Sequence, residues 1–388
     1  MTANLRAAIA LSNLVVVFLL ARSVDARTYE ATLLDSDGST RVTAWGVSGE
    51  AQVGQFWVDP SLGPAQALLW PMSSAAPISL HPARFDESEV WDIAGSVQGG
   101  SGRGPATGGG RHALLWQGTA ESVVDLHPIG YSSTEINGVS PASQGGSGYP
   151  DTNLNVHALL WHGTAESVID LHPAGFQQSY VWDVTEGNQV GWGLGLAGGP
   201  ANSYHALLWS GNAASVVDLH VDGFTNTFAA GVSGNVQVGS GNGLATGDAS
   251  HALLWRGSAA NVVDLHPPGF AHSSAEAAAC AWQVGFADLS GPPDVYHAIA
   301  WRGDAASAVD LHQFLPGMGA SFISSLATGV NEDGDAVGWA DTATARYAVH
   351  WTLVPEPGAA VLVAMAACGA VLDRRRGSSS GRRMTPRL

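Results

Sequence analysis

Lysine does not occur in this chain of 388 residues, and cysteine is scarce. The 16 basic residues are therefore all arginine, and there are two cysteines. Without lysine the chain can form neither a P-loop nucleotide site nor the Schiff base of a lysine-dependent enzyme. Two cysteines cannot build a disulfide framework. A chain of this length that is 45% hydrophobic can bury a large core instead.

Positive charge is also rare between the two chain ends. Residues 28–353 contain seven arginines against 30 acidic residues, a net charge of −23. Such a body repels polyanions, which excludes nucleic acid as a partner. The sequence also has none of the short motifs of zinc proteases, α/β-hydrolases or dithiol enzymes. An enzyme whose site is assembled from distant segments is still compatible with these observations.

A segment of about 46 residues recurs seven times. Its clearest mark is an apolar stretch that ends in tryptophan. These tryptophans are Trp70, Trp116, Trp161, Trp209, Trp255, Trp301 and Trp351. Self-similarity at this period indicates a repeat architecture. We expect these tryptophans to pack between neighbouring repeats.

Each repeat is predicted to contain four strands, A to D. In one copy they fall at 227–232, 235–239, 251–255 and 261–266, separated by turn residues. Strand D ends in Asp-Leu-His, and a glutamine stands 18 residues after the leucine, with a glycine two residues further on. Five copies show both landmarks: Gln98 and Gly100, Gln144 and Gly146, Gln189 and Gly191, Gln237 and Gly239, Gln283 and Gly285. Such fixed offsets predict a turn of constant geometry.

The repeat count favours a closed ring. Seven C strands are present but only six D strands with this Leu-His ending, five of them Asp-Leu-His and one with Ser79 in place of the aspartate. Residues 29–35 supply a degenerate seventh, because Gln52 and Gly54 stand at the same offsets from Leu34. We therefore predict an all-β, seven-bladed β-propeller over residues 28–353, closed by an N-terminal strand that completes the last blade. An open solenoid is the alternative, although it does not require exchanged terminal strands.

Both chain ends resemble export signals. Residues 1–26 are typical of a signal peptide, with an apolar stretch followed by a cleavage site at Ala26. At the other end, the motif Pro355, Glu356, Pro357 precedes an apolar run at 358–372 and the basic cluster Arg374, Arg375, Arg376.

Segment 354–376 closely resembles the PEP-CTERM sorting signal of bacterial exported proteins. That resemblance implies a short hydrophobic helix that anchors the chain in the membrane until an exosortase-like protease cleaves near Pro357. The arginines orient the body away from the cytoplasm. The basic tail 377–388 extends beyond the usual end of this signal. An ordinary tail anchor is the alternative.

The repeat itself resembles the HAF repeat of bacterial secreted proteins, on its His-Ala-Leu or His-Ala-Ile strands before tryptophan. This resemblance implies an exported repeat protein and assigns no activity. Together with the two ends, it predicts a protein handled by the secretion machinery and located in the cell envelope or outside the cell.

Histidine and aspartate at repeat positions are candidate metal ligands. His112, Asp125 and His127 come together if strands C and D pair, and two imidazoles with a carboxylate suit a transition metal. The equivalent sets are His157, Asp170 and His172; His205, Asp218 and His220; His251, Asp264 and His266; His297, Asp310 and His312. A catalytic metal is needed once, however, so fivefold repetition favours structural Asp–His hydrogen bonds between blades, with no metal or other cofactor.

Two further groups have weaker patterns. Calcium is a possible ligand at 35–38 and 331–335, where oxygen-bearing side chains are closely spaced without the glutamate of an EF-hand. Several tryptophans fall outside the regular C-strand position and are assigned to core packing, with sugar stacking as the alternative. These are Trp45, Trp57, Trp91, Trp182, Trp192, Trp282 and Trp339.

The loops predict where a partner binds. B–C loops vary in length and share one end of the blades with the D–A loops, and variable loops gathered on one face mark a binding face. We expect a non-enzymatic protein that binds another protein or a neutral glycan there. The alternative is an extracellular polysaccharide lyase or hydrolase. Axial His, Asp or Glu in only one or two blades would favour the enzyme, but Glu186, His272, Glu276 and Glu332, which break the repeat, form no evident cluster in the sequence.

Overall fold

The computed structural model describes residues 28–354 except 35–38, 50, 59–62, 73–75, 153–154, 196–202, 290–294 and 318–320. The predicted signal peptide, the sorting segment with its helix, and the basic tail lie outside the described residues. The chain divides into two units, residues 30–352 and the two chain ends, and the fold below concerns the first. No helix long and apolar enough to cross a membrane occurs among the described residues.

Seven four-stranded antiparallel sheets form the blades. Blade 1 comprises β2 Val42–Ser48, β3 Ala51–Trp57, β4 Ala65–Pro71 and β5 Ile78–Ser79. Blade 2 comprises β6 Glu87–Ala94, β7 Val97–Arg103, β8 His112–Trp116 and β9 Val124–Asp125. Blade 3 comprises β10 Tyr131–Val139, β11 Gln144–Pro150, β12 His157–Trp161 and β13 Ile169–Asp170. Blade 4 comprises β14 Gln178–Thr185, β15 Asn188–Leu194, β16 Tyr204–Trp209 and β17 Val217–Asp218. Blade 5 comprises β18 Asn226–Ser233, β19 Val236–Asn242, β20 His251–Trp255 and β21 Val263–Asp264. Blade 6 comprises β22 Phe270–Ala279, β23 Trp282–Leu289, β24 Tyr296–Trp301 and β25 Val309–Asp310. Blade 7 comprises β26 Ser324–Val330, β27 Ala336–Asp341, β28 Arg346–Val354 and β1 Thr28–Leu33.

The last blade confirms the predicted closure. Strand β1 lies at the outer edge of the blade 7 sheet, beside β28, so the N-terminal strand occupies the D position. The Leu34 N–H donates to the Ala348 carbonyl at 3.0 Å just beyond it. At the inner edge of the seam between blades 7 and 1, Thr328 Oγ1 donates to the Ala44 carbonyl at 2.9 Å. The domain is therefore an all-β, seven-bladed β-propeller.

Helical structure in the described residues is confined to three-residue 3-10 turns. These are Pro105–Thr107, Ala120–Ser122, Ala165–Ser167, Ala213–Ser215, Leu244–Thr246, Ala259–Asn261, Ala305–Ser307 and His312–Phe314. One of them replaces the start of a predicted strand. Strand D of blade 5, expected at 261–266, is only the two-residue ladder Val263–Asp264. Its ladder ends early because the Asp264 carboxylate accepts the His266 N–H at 2.8 Å, which turns the chain out of the sheet.

The core lies between blades. Trp116 of blade 2 is fully buried against Leu69 and Leu80 of blade 1, and this arrangement recurs around the ring. The predicted packing of the C-strand tryptophans between repeats is thus confirmed. The repeated glutamine has a local role: Gln98 Oε1 accepts the N–H of Gly118 in the C–D turn at 2.7 Å. Four other blades contain the same bond, which explains the fixed offset.

Candidate axial ligand site

Strand A, the innermost strand, has a β-bulge in every blade. At each bulge one residue of strand A has no partner on strand B. Its side chain is turned toward the centre of the ring. We call these seven residues the bulge ring: Trp45, Trp91, Asn137, Trp182, Ala230, Glu276 and Thr328.

The repeated glycine of strand B is what permits the bulge. A Cβ atom on Gly146 would lie 1.9 Å from the Glu135 carbonyl oxygen, because the bulged strand brings its backbone against this position. The corresponding distances in the other six blades are 1.8 to 2.1 Å. Any larger residue would force the two strands apart. The glycine landmark therefore fixes the inward direction of the bulge ring.

The bulge ring surrounds a cavity of about 1120 Å³, the axial cavity. All seven A strands contribute to its wall. Small apolar side chains such as Val47, Ile93 and Val330 lie at the end nearer the A–B turns. Tyr180 and Phe228 precede the bulge by two residues and lie nearer the opposite end. Because the sheets are antiparallel, that opposite end also contains the variable B–C loops.

Aromatic side chains dominate one part of the wall. The rings of Trp45 and Trp91, from neighbouring blades, have centroids 4.9 Å apart. Trp182 is 43% exposed. A chain of ring contacts then leads toward the variable-loop end: Tyr180 to Trp192 at 5.4 Å, Trp192 to Tyr204 at 5.3 Å, and Tyr204 to Phe228 at 5.0 Å. Such surfaces stack on sugar rings and on other planar or apolar groups.

Two aspartates follow the bulge ring and link the inner strands of adjacent blades. Asp92 accepts the N–H groups of Ile93 at 2.7 Å and of Val139, in the next blade, at 2.8 Å. Asp183 makes the same pair of bonds in blades 4 and 5. Burial raises the pKa of both carboxyls, and the charge of Asp92 raises the pKa of Asp183 further. With both oxygens engaged, these groups hold the ring together.

Two glutamates also face the cavity. Glu135 accepts hydrogen bonds from the Tyr180 hydroxyl and, at 3.2 Å, from the Ser147 hydroxyl. Glu276 belongs to the bulge ring, and Ser274 is its hydrogen-bond partner. Burial raises the pKa of Glu276 because its charge is poorly solvated and poorly compensated.

Arg346 is the one basic side chain among the described residues of the cavity wall. Its guanidinium is held by Asp341 through two hydrogen bonds of 2.7 and 2.8 Å. It also lies 3.7 Å from the centroid of the Trp339 ring. Asp341 therefore already neutralises this charge.

The five histidine pairs are brought together as the sequence predicted, on the outer part of the blades. His112 and His127 stack with ring centroids 3.8 Å apart, and His112 Nδ1 bonds to Asp125 Oδ2 at 2.7 Å. The other four sets repeat both contacts. Lone pairs of stacked imidazoles run parallel and do not converge on one ion. Among the described residues, no group of three or more His, Cys, Asp or Glu is arranged as a metal site.

The link between blades involves the second histidine. Thr134, in strand A of the next blade, accepts the Ala113 N–H at 3.0 Å and bonds to His127 Nδ1 at 2.8 Å. The expected Asp–His hydrogen bond instead lies within one blade, because both of its residues belong to strands C and D of the same sheet. Burial and the stacked His112 lower the pKa of His127. Because the other ring nitrogen donates to the Tyr131 carbonyl, Nδ1 of the neutral ring accepts a hydrogen bond from the Thr134 hydroxyl.

The remaining sequence-derived candidates do not gather in one place. The possible calcium site at 331–335 is an A–B turn in which Asn331 Oδ1 accepts the N–H groups of Asp333 and Asp335 at 3.1 and 2.9 Å. The other, at 35–38, lies outside the described residues, as do Ala26 and the whole sorting motif. Of the irregular tryptophans, Trp57 and Trp282 lie beneath Arg41 and Arg302, away from the axial cavity.

The axial cavity was missed in the sequence, although a regular offset indicates it. In each of the first six blades the bulge-ring residue stands seven positions before the repeated glutamine, as Trp91 does before Gln98 and Glu276 before Gln283. Their varied identities concealed the common position. Aligning the repeats on the glutamine column would have found them.

No known protein family and no curated protein matches the sequence. Solved structures share the fold. The β-propeller domain of the trilobed protease from Pyrococcus furiosus superposes with a TM-score of 0.54 at 9% identity, over 81% of this chain and 98% of that one. A mutant puromycin hydrolase complexed with PGG gives a TM-score of 0.54 at 10% identity, over 81% of this chain and 52% of that one. This chain thus spans about half the length of the hydrolase. At such identities the likeness shows the fold alone: the chain is a seven-bladed β-propeller.

Proposed function

We propose that this protein is an exported, non-enzymatic binding protein that takes a glycan into the axial cavity from the variable-loop face. The observation that carries the proposal is the aromatic part of the wall. Trp45, Trp91 and Trp182 depart from the repeat, yet all three point into one cavity. Trp182 is 43% exposed, whereas a tryptophan serving the core would be covered. Exposed tryptophan faces of this kind stack on sugar rings.

The size and position of the cavity support a ligand rather than a packing defect. At about 1120 Å³ it exceeds the range of small-molecule pockets, which suits a short oligosaccharide. The channel at the centre of a propeller is common to the fold, but its lining differs between proteins. Here the lining combines aromatic faces with hydrogen-bonding groups such as Asn137 and Ser240.

Binding is favoured over turnover by the state of the carboxylates. A glycosidase needs two carboxyl groups free to flank the scissile bond. Asp92 and Asp183 each have both oxygens bound to backbone N–H groups, and Glu135 is held by Tyr180. The polysaccharide lyase or hydrolase remains the alternative function, and its test is product formation.

Export and sorting are part of the same proposal. The signal peptide would direct the chain out of the cytoplasm, and the motif Pro355, Glu356, Pro357 would deliver it to an exosortase-like protease. The propeller would then be displayed at the cell surface or released into the extracellular matrix. In cells that contain such a protease, Glu356→Ala should leave the chain unprocessed; identical processing of the variant would contradict the sorting step.

The binding proposal is tested by applying the purified full-length chain to a glycan array and measuring affinity for each positive glycan. Trp182→Ala should weaken binding about tenfold or more, at little expense in stability because the ring is exposed. Leu244→Ala is the matched control, since Leu244 is 87% exposed on a B–C loop of the same end.

Loss of binding in Leu244→Ala with full binding in Trp182→Ala would place the ligand on the loops and overturn the cavity assignment. Release of reducing ends or unsaturated products from a bound polysaccharide would establish the enzyme instead.

A further inference from the structure

Glu276 differs from the other acidic side chains of the axial cavity. Asp92, Asp183 and Glu135 are each held by at least two protein donors, as described above. Glu276 has the Ser274 hydroxyl, and no basic group of the described residues forms an ion pair with it. Of these four acidic side chains, Glu276 therefore has the fewest hydrogen-bond donors from the protein and keeps the most acceptor capacity for a ligand.

The position of Glu276 in the bulge ring gives it space. Its neighbours in the bulge ring, in blades 5 and 7, are the small residues Ala230 and Thr328. In a ring of seven, blade 6 lies across the axis from blades 2 and 3. The bulge residues there are Trp91 and Asn137. A ligand held against the Trp91 ring would thus present its far side to Glu276.

We propose that the ligand of the axial cavity is a glycan bearing a protonated amino group, an amino sugar, and that Glu276 accepts this group while the tryptophans of blades 1 and 2 stack on the sugar ring. This proposal rests on the glycan-binding function above and narrows its ligand class. It also departs from the neutral glycan expected from the sequence.

Charge supports a cationic group over an acidic one. The body carries a net charge of −23, and the one guanidinium of the described cavity wall, Arg346, is neutralised by Asp341. A uronic acid or sulfated sugar would therefore meet repulsion without a free partner. An ammonium group would instead donate a charge-assisted hydrogen bond to Glu276, and aromatic faces also attract cations.

Burial supports the same conclusion. A carboxylate enclosed by apolar groups is unfavourable unless something compensates its charge. Burial raises the pKa of Glu276, and the hydrogen bond from Ser274 opposes this shift only in part. At the equivalent positions in blades 5 and 7 the residues are Ala230 and Thr328, so the fold itself does not require an acid here.

The test compares two matched trisaccharides near neutral pH, the trimer of glucosamine and the trimer of N-acetylglucosamine. They differ in whether the nitrogen is a charged amine or a neutral amide. We expect the full-length chain to bind the amine about tenfold more tightly. Glu276→Gln should abolish this preference with little change for the acetylated trimer, and Glu276→Ala should do the same, since blade 5 accommodates alanine at this position.

Glu135→Gln is the matched control, because an amide oxygen can still accept the Tyr180 and Ser147 hydroxyl protons. It should retain the preference. Equal loss in both variants would mean that overall charge, and not Glu276, selects the ligand, which would overturn the inference.

Tighter binding of the acetylated trimer than of the amine would overturn the inference. The proposed glycan binding would still stand if Trp182→Ala weakened the binding of the acetylated trimer. No binding of any glycan would overturn the proposed function itself.

Discussion

The hydroxyl groups that join neighbouring blades should make a large contribution to stability, and Thr227 offers the sharpest test. Its side chain is fully buried. Its Oγ1 accepts the Ala206 N–H at 3.0 Å and lies 2.9 Å from His220 Nδ1. The single ring proton of the neutral histidine, on Nε2, is donated to the Phe224 carbonyl, so the threonine hydroxyl is the donor to Nδ1. One hydroxyl thus satisfies the buried Ala206 N–H and the half-buried His220 ring on the preceding blade.

Two substitutions separate the hydroxyl from the packing. Thr227→Val preserves the shape but leaves the Ala206 N–H buried without a partner, which costs about 1–3 kcal/mol, in addition to the bond lost by His220. Thr227→Ser preserves the hydroxyl and loses one methyl group, which costs about 1 kcal/mol. We therefore expect the valine variant to be the less stable by about 1–2 kcal/mol.

Urea unfolding followed by tryptophan fluorescence measures this difference. The midpoints of the two variants should be compared at equal denaturant slope, because a ring of seven blades need not unfold in two states. Thr134→Val and Thr134→Ser in blade 3 provide an independent repeat of the same comparison. A valine variant as stable as the serine variant would refute the assignment of this hydroxyl as the link between blades.

Three further predictions concern the fold. Gly146→Ala should prevent stable folding, because the new Cβ would lie 1.9 Å from the Glu135 carbonyl oxygen. Gly110→Ala is the control and should give a normal soluble yield, because the nearest atom to its new Cβ is 3.5 Å away. Equal yields of the two variants would contradict the bulge explanation. Burial lowers the pKa of His127 and of the equivalent His81, His172, His220 and His266. These neutral histidines therefore contribute fully to the stability of the folded protein above the ordinary histidine pKa, and the contribution is lost as pH falls below that value. The midpoint temperature of thermal unfolding should therefore decrease as pH is lowered below about 6.5. A midpoint that does not change with pH would contradict this. Deleting residues 30–34 should lower the thermal midpoint strongly, and a synthetic peptide of 28–35 added in trans should restore part of it; an unchanged midpoint would contradict closure through this strand.

Much of the fold could be predicted because the same structurally required residues recur at the same spacing in several repeats. The glutamine and glycine columns correspond to a bond to the C–D turn and to a close approach of two backbones, and each recurs with the same spacing. The closure followed from the same offsets, applied to Leu34 and Gln52. Strand lengths were less certain: strand D is shorter than expected because side-chain hydrogen bonds end its ladder, which hydrophobic pattern does not reveal.

The sequence alone determined the number of blades, their order and the exchange of the terminal strand, since all three depend on landmarks that recur along the chain. The tertiary structure alone decided where a ligand can bind. A bulge inserts one residue into each A strand, and a shift of one residue reverses which side chains face inward. Trp91 and Glu276 differ in residue type and are 185 residues apart in the sequence, yet both belong to the bulge ring. Side chains from different blades converge only when the ring has closed.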